Sequence, residues 1–320
     1  MTPSRSEELL LSSDLGRVIP AAPPFRRRLR AGELVRVRRG VYLDAARWAA
    51  LDEDARYVEL VRGTALGCTT LPVLSHESAA ALWGLPLIGG PPTDVHVLVD
   101  RATGGRSDPG IRRHALGLTD ADMQAFDGLL VTTLARTVVD LAATASVYTA
   151  VAVADAALWR DPFTPVPRLT RDELFTEWER MMPYRGFARA RRVLEFAESG
   201  AASAGESASR VSIAVAGFPA PALQRHFVAD GRDAWADFYW DEVDAIAECD
   251  GKGKYLDARL RAGRTIEQVV MDEKYREDAL RRQVRGFTRW GYSEALSPQR
   301  LRLKLLELGL QPGRSRLRGR

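Results

Sequence analysis

Apolar and polar positions alternate along this chain with two periods, and the changes of period divide it into blocks. The first part of Phe25–Arg39 suits a helix, with Gly32 as its stop. Leu34–Tyr42 alternates apolar and basic residues, the pattern of a strand pair turned at Gly40. Glu53–Leu66 reads as a helix. In the run Leu74–Gly84, Ser75 is placed to cap a helix that ends at Gly84. Val95–Val99 and Leu129–Thr133 read as strands, and Arg136–Ala142 as a helix. The proline-rich run 161–167 breaks any helix, and Thr170 with Glu173 forms a capping box. After a Gly/Ala/Ser stretch at 199–205 the elements follow closely. A helix (Glu206–Ala216) precedes three short strands: Gln224–Val228, Trp235–Trp240 and Ala245–Cys249. A long helix (Thr265–Arg285), a strand near Phe287–Tyr292 and a last helix (Pro298–Leu308) complete the order.

This pattern predicts a multidomain chain of α+β and α/β class. Residues 1–48, helices followed by a small basic hairpin, describe a winged helix. A middle α/β domain takes 49–160, a linker and helix 161–204, and an α-β-β-β-α-β core 205–310. Residues 311–320 form a basic tail. The 320 residues carry ordinary globular composition, 46% hydrophobic and 28% charged, which excludes wholesale disorder and coiled coil. No apolar run is long enough to span a membrane, and the first residues lack the apolar core of a signal peptide. With only two cysteines, a cytoplasmic protein without membrane partners is expected.

The net charge of +4 is too small to name a partner, but the charges are sorted. Of 46 basic residues only four are Lys, all in the last quarter of the chain. Residues 25–39 hold seven Arg (Arg26, Arg27, Arg28, Arg30, Arg36, Arg38 and Arg39) against one Glu. Such a cluster on a helix and hairpin points to phosphate contacts with DNA. The plainer reading is a solvated, Arg-rich face.

Carboxylates mark a second place of interest. Asp237 lies inside an otherwise aromatic and apolar strand, Glu248 near the end of the next, and Asp250 two residues on. Side chains two apart on a strand share a face, so Glu248 and Asp250 go together. A hairpin would bring Asp237 beside them, and Lys252 would join if the extended path continues. Converging carboxylates repel unless a hard cation such as Mg²⁺ or Mn²⁺ sits among them. With a nearby Lys, such a site suits water attack on a phosphodiester. The plainer reading takes Asp250-Gly251 as a turn. His76, His96 and His114 are far apart in sequence with no helical i, i+4 pair, so a structural role is expected for them rather than a metal site. Arg136 and Asp140, four apart on a helix, are expected to pair with each other. No P-loop, dinucleotide fingerprint or nucleophile elbow points to small-molecule chemistry.

Four stretches in order, Glu206–Arg210, Trp235–Trp240, Glu248–Lys252 and Glu273–Leu280, resemble bacterial domains related to very-short-patch-repair (Vsr-like) endonucleases of the PD-(D/E)XK superfamily. The resemblance covers about 100 residues. It implies a restriction-endonuclease-like core in which Asp237 and Glu248, with Asp250, hold the metal and Glu206 is an auxiliary carboxylate. The superfamily pattern has Lys two residues after the Glu. Here Asp250 stands there, and Lys252 is the candidate replacement. Leu34–Tyr42, Ser75–Leu85 and Thr132–Leu141 resemble the AbiEi antitoxins of type IV toxin–antitoxin systems. That resemblance implies a winged helix, an α/β domain, repression of the protein's own operon and a cognate toxin if one is encoded alongside. Two functions are therefore expected: a DNA-binding, metal-dependent endonuclease, or a non-catalytic regulator or antitoxin.

Overall fold

The computed structural model describes residues 9–11, 25–104, 106–160, 168–250 and 266–313. The chain divides into two units, one drawn from residues 1–145 and 169–195, the other from 146–168 and 196–320. No helix among the described residues is long and apolar enough to cross a membrane.

The first unit opens with β1 (Leu10–Leu11), α1 (Phe25–Arg30), β2 (Leu34–Arg38), β3 (Val41–Asp44), α2 (Ala45–Ala50) and α3 (Glu53–Leu66). Gly40, at φ +81°, turns the antiparallel β2–β3 pair, and β1 pairs with the outer edge of β3. Val41 and Leu43 are fully buried against Leu9. Helix α3 comes so close to this hairpin that a Cβ at Gly63 would lie 2.9 Å from Val41. Asp44 and Asp52 cap α2 and α3 through their side chains.

The unit continues through β4 (Val73–Leu74), α4 (His76–Leu82), β5 (Val95–Val99), β6 (Ile111–Ala115), β7 (Met123–Phe126), β8 (Leu129–Thr132) and α5 (Leu134–Thr144). The strands form one sheet in the order β6-β5-β4-β8-β7. Tyr57 and Val61 of α3 and Leu82 of α4 pack on its Val95, Val97, Leu129 and Val131. Ser75 precedes α4 as expected, but its side chain accepts no capping hydrogen bond: its hydroxyl lies 3.1 Å from His76 Nδ1. The helix also stops at Leu82, because Gly84 takes a left-handed φ of +67°.

Helix α6 (Val147–Leu158) belongs to the second unit, although the sequence pattern groups it with the middle domain. The reason is Asp155, fully buried, which accepts from Ser207, Arg210 and the Glu198 backbone at 2.8, 2.6 and 2.7 Å. The following α7 (Arg171–Met181) and most of α8 (Phe187–Phe196) return to the first unit. There Arg189 donates to the Ala143 carbonyl at 2.9 Å. The Thr170–Glu173 capping box forms as expected.

The rest of the second unit comprises α9 (Ala204–Val215), β9 (Ala222–Ala229), β10 (Arg232–Trp240), β11 (Ala245–Asp250), α10 (Ile266–Arg281), β12 (Gly286–Gly291), α11 (Tyr292–Ala295) and α12 (Pro298–Glu307). The expected α-β-β-β-α-β order is present. The sheet runs β12-β11-β10-β9, antiparallel except for the parallel β11–β12 pair on either side of α10. Trp290 stacks on Phe238 and donates to Ser209 of α9, which fixes that helix to the sheet. Ala279 and Leu280 of α10 pack on Ala234, Ala236 and Ile246.

Candidate functional site

Helix α9 begins at a Ser203 cap, and Ser203 and the Ala202 backbone hold Glu206 in its first turn at 2.8 and 3.0 Å. Gln224 of β9 then donates its amide to both Glu206 Oε2 (2.9 Å) and Asp237 Oδ1 (3.3 Å). The other Asp237 oxygen accepts the backbone N–H of Cys249 at 2.9 Å. Pairing between β10 and β11 ends at Phe238–Ala247, and the Asp237 carboxylate serves the β11 backbone just beyond that point. Burial, and after it the Asp237 charge, push Glu206 up to about 7. Burial also pushes the neighbouring Cys249 thiol up to about 12. Gly205 is required here, since a Cβ would sit 2.8 Å from the Cys249 sulfur.

Glu248 and Asp250 go together, as strand alternation predicts, but their partners are arginines. Arg276 of α10 gives both Glu248 oxygens bonds of 2.8 and 2.9 Å and also donates to the Trp235 carbonyl. Arg289, the register partner of Glu248 on β12, reaches Asp250 at 2.8 Å, Glu277 at 2.7 Å and Glu248 at 3.7 Å. Two groupings therefore stand on neighbouring strands. Glu206, Gln224 and Asp237 form one, and Glu248, Asp250, Arg276 and Arg289 the other. Among the described residues, no three His, Cys, Asp or Glu side chains surround a common point as metal ligands. Lys252 lies outside the described residues.

Asp237, Glu248 and Asp250 carry the hard oxygen donors that Mg²⁺ takes, but here those oxygens are engaged by Gln224, the Cys249 N–H, Arg276 and Arg289. Arg276 and Arg289 were not singled out by the sequence reading. The one available signal was that Arg276 falls within the Glu273–Leu280 stretch, whereas the role of Arg289 depends on strand register.

In the first unit, Arg27, Arg30, Arg36 and Arg39 are exposed and form no ion pair with a described residue. Arg28 is paired with Glu33 at 3.2 Å and Asp44 at 3.8 Å. Arg38 turns inward, donating to Thr64 of α3 at 2.8 Å and to the Gly110 carbonyl at 3.5 Å, so it holds the hairpin against its own unit. The Arg26 side chain lies outside the described residues. Arg136 pairs with Asp140 as expected and also reaches Asp122 at 2.6 Å.

No family model matches the chain. The chain is 31% identical over 270 residues to the uncharacterized protein Rv2248 of Mycobacterium tuberculosis strain H37Rv, spanning 77% of this chain and 89% of that protein. The uncharacterized protein MT2308 of strain CDC 1551 matches with the same identity and coverage. The chain belongs to the family of these mycobacterial proteins.

Proposed function

We propose that this protein binds DNA through its N-terminal helix and hairpin, a winged helix in this reading. The second unit, in the same reading, is a restriction-endonuclease-like domain that hydrolyses phosphodiester bonds with Mg²⁺ or Mn²⁺. The observation that carries the cutting activity is the placement of Glu206, Asp237, Glu248 and Asp250 on one helix start and two adjacent strands. Asp237 and Glu248, with Asp250, are the residues to hold the ion. When bound, the ion supplies charge compensation for the phosphate and a water of lowered pKa. Gln224 orients Asp237 and Glu206, and Arg276 and Arg289 meanwhile hold the Glu248 and Asp250 charges. Released from Glu248, Arg276 is a fitting partner for a phosphate oxygen. Arg27, Arg30, Arg36 and Arg39 supply salt-dependent affinity for the DNA backbone. Purified full-length protein is expected to nick supercoiled DNA with Mg²⁺, and an Asp237→Ala, Glu248→Ala double variant is not. Unchanged nicking by the double variant would overturn the assignment.

A second reading has its own support: both oxygens of Glu248 are taken by Arg276, as in a purely structural ion pair. In that reading the protein is a DNA-binding regulator or AbiEi-like antitoxin. It would shift its own upstream region in a gel, never cut it, and pair with a toxin encoded alongside.

A further inference from the structure

On the sheet of the second unit, Trp240 and Trp290 are buried and donate their indole N–H groups to the Pro219 carbonyl and the Ser209 hydroxyl. Trp235, on β10, is placed differently. It is 46% exposed, and its indole N–H has no hydrogen-bond partner among the described residues. The β9–β10 hairpin turns at Asp230-Gly231, at φ +51° and +76°, and its register sets Trp235 directly opposite His226. The two rings lie 5.1 Å apart at 52°. His226 Nε2 is 2.6 Å from Asp233 Oδ1, which holds the imidazole beside the indole, and His226 keeps 49% of its side chain in solvent. Arg276 donates to the Trp235 carbonyl at 3.1 Å and so ties this part of β10 to α10.

Packing does not call for a tryptophan at this place. An indole stabilises a fold by withdrawing its large apolar surface from water with its N–H paired, and Trp235 does the first only in part and the second not at all. A threonine serves an exposed strand position without leaving an aromatic face in solvent. What the pair presents is a fixed, solvent-facing π surface. Two residues away on the same strands, about 6.8 Å at 3.4 Å per residue, stand Gln224 and Asp237, bonded to each other at 3.3 Å. The surface is therefore continuous with the candidate site. Arg225 and Arg232 of the same hairpin are exposed and form no ion pair with a described residue. The hairpin's acids are engaged, Asp230 by Arg282 at 2.6 Å and Asp233 by His226.

We propose that Trp235 and His226 form a stacking platform for an unpaired base of single-stranded DNA, with Arg225 and Arg232 binding phosphates of that strand. An indole on a sheet surface reaches only a base whose face is uncovered, and in a duplex each base face is covered by its neighbours in the stack. Every base has a π face, so the platform tolerates any sequence. The exposed arginines supply the countercharge that a DNA backbone requires. A base held here lies one short strand step from Asp237, which makes single-stranded or locally opened DNA the substrate class of the second unit. This deepens the nuclease reading and rests on its choice of DNA as substrate.

The test uses the full chain in EDTA, so that binding is read without cutting, and follows the fluorescence anisotropy of a labelled oligo-dT of about 12 nucleotides and of a blunt duplex. Trp235→Ala should weaken oligo-dT binding about 5- to 150-fold, the loss expected of one stacked base. Duplex binding, carried by the N-terminal arginines, should stay unchanged. Trp235→Phe, which keeps a ring, should retain most of the affinity. Trp235→Leu, which keeps apolar surface without a ring, should lose as much as the alanine variant does. Circular dichroism and the urea midpoint establish that each variant is folded. Unchanged oligo-dT affinity in Trp235→Ala, equal losses on single strand and duplex, or full retention by Trp235→Leu would each overturn the proposal. Lost oligo-dT binding in Trp235→Ala, in a protein that nicks no DNA with Mg²⁺, would keep the platform and remove the cutting activity. Unaltered binding in a protein that does nick would remove the platform alone.

Discussion

Both units bury a knot of carboxylates and arginines, and the two knots are built differently. In the first unit Arg136 lies between Asp122 and Asp140, and Arg180 and Glu177 of α7 complete the group. Arg136, Asp122 and Asp140 are all nearly inaccessible. Each partner comes from a helix turn or a short loop nearby, and the group ties α5 to α7. In the second unit the carboxylates project from a helix start and two strands, and their arginines reach in from α10 and β12. Asp250 keeps 42% of its side chain in solvent, and Arg276 and Arg289 keep over a quarter of theirs. Buried charge alone therefore does not mark a site. What separates the knots is the arginine between the carboxylates: Arg136 of the first is closed off from water, and only Arg180 at its edge is exposed, whereas both arginines of the second reach water.

The largest expected effect breaks the closed knot. Arg136→Met leaves two buried carboxylates without their shared guanidinium and should cost about 3–5 kcal/mol by urea denaturation. Arg276→Met in the second unit should cost less, about 1–3 kcal/mol, because Arg289 remains beside Glu248. Equal losses would erase the distinction between the two knots.

A pH profile sharpens the same contrast. Three carboxylates against two guanidiniums leave the first knot one negative charge in excess, and burial pushes Asp140 up to about 7 from its ordinary 3.8. The folded state thus holds a proton that the unfolded state releases. Stability should be fullest near pH 4 and decline as pH rises to about 7. Asp140→Asn should remove Asp140's share of that decline, read as the difference between the two urea-midpoint profiles, and leave the share of Glu206, which burial also raises to about 7. A decline of the same size in the variant would refute the assignment. For the exposed arginines, Arg27→Ala, Arg30→Ala, Arg36→Ala and Arg39→Ala together should flatten the salt dependence of DNA binding by roughly one unit of slope per residue. Arg38→Ala should act on stability instead, since Arg38 serves Thr64. The smallest effect is expected at the mouth of α7, where Thr170→Ala should cost about 1 kcal/mol.

Much of the element order was legible in the sequence, because it rests on periodicity and capping. Glu53–Leu66, Val95–Val99 and the Thr170 capping box needed only local information. The pairing of Glu248 with Asp250 was legible for the same reason, as strand alternation is local. The arginines that answer them were not, since Arg289 meets Glu248 only through the parallel register of strands 41 residues apart. Asp237 meets β11 as a hairpin predicts, but through the Cys249 backbone N–H and with Gln224 on its other oxygen, contacts that periodicity does not give because β10–β11 pairing ends one residue earlier. The short β6 and β7 carry no clear alternation. The meeting of His76, His96 and His114 was illegible because their spacing becomes contact only when β5, β6 and the start of α4 are assembled.

The most direct measurement follows supercoiled DNA with the full chain over a series of Mg²⁺ concentrations, with EDTA as the zero point. The account predicts nicked and linear product that rises with Mg²⁺, is absent in EDTA, and disappears in a folded Asp237→Asn variant. Bound but uncut DNA at every Mg²⁺ concentration, or the same product in EDTA, would contradict it.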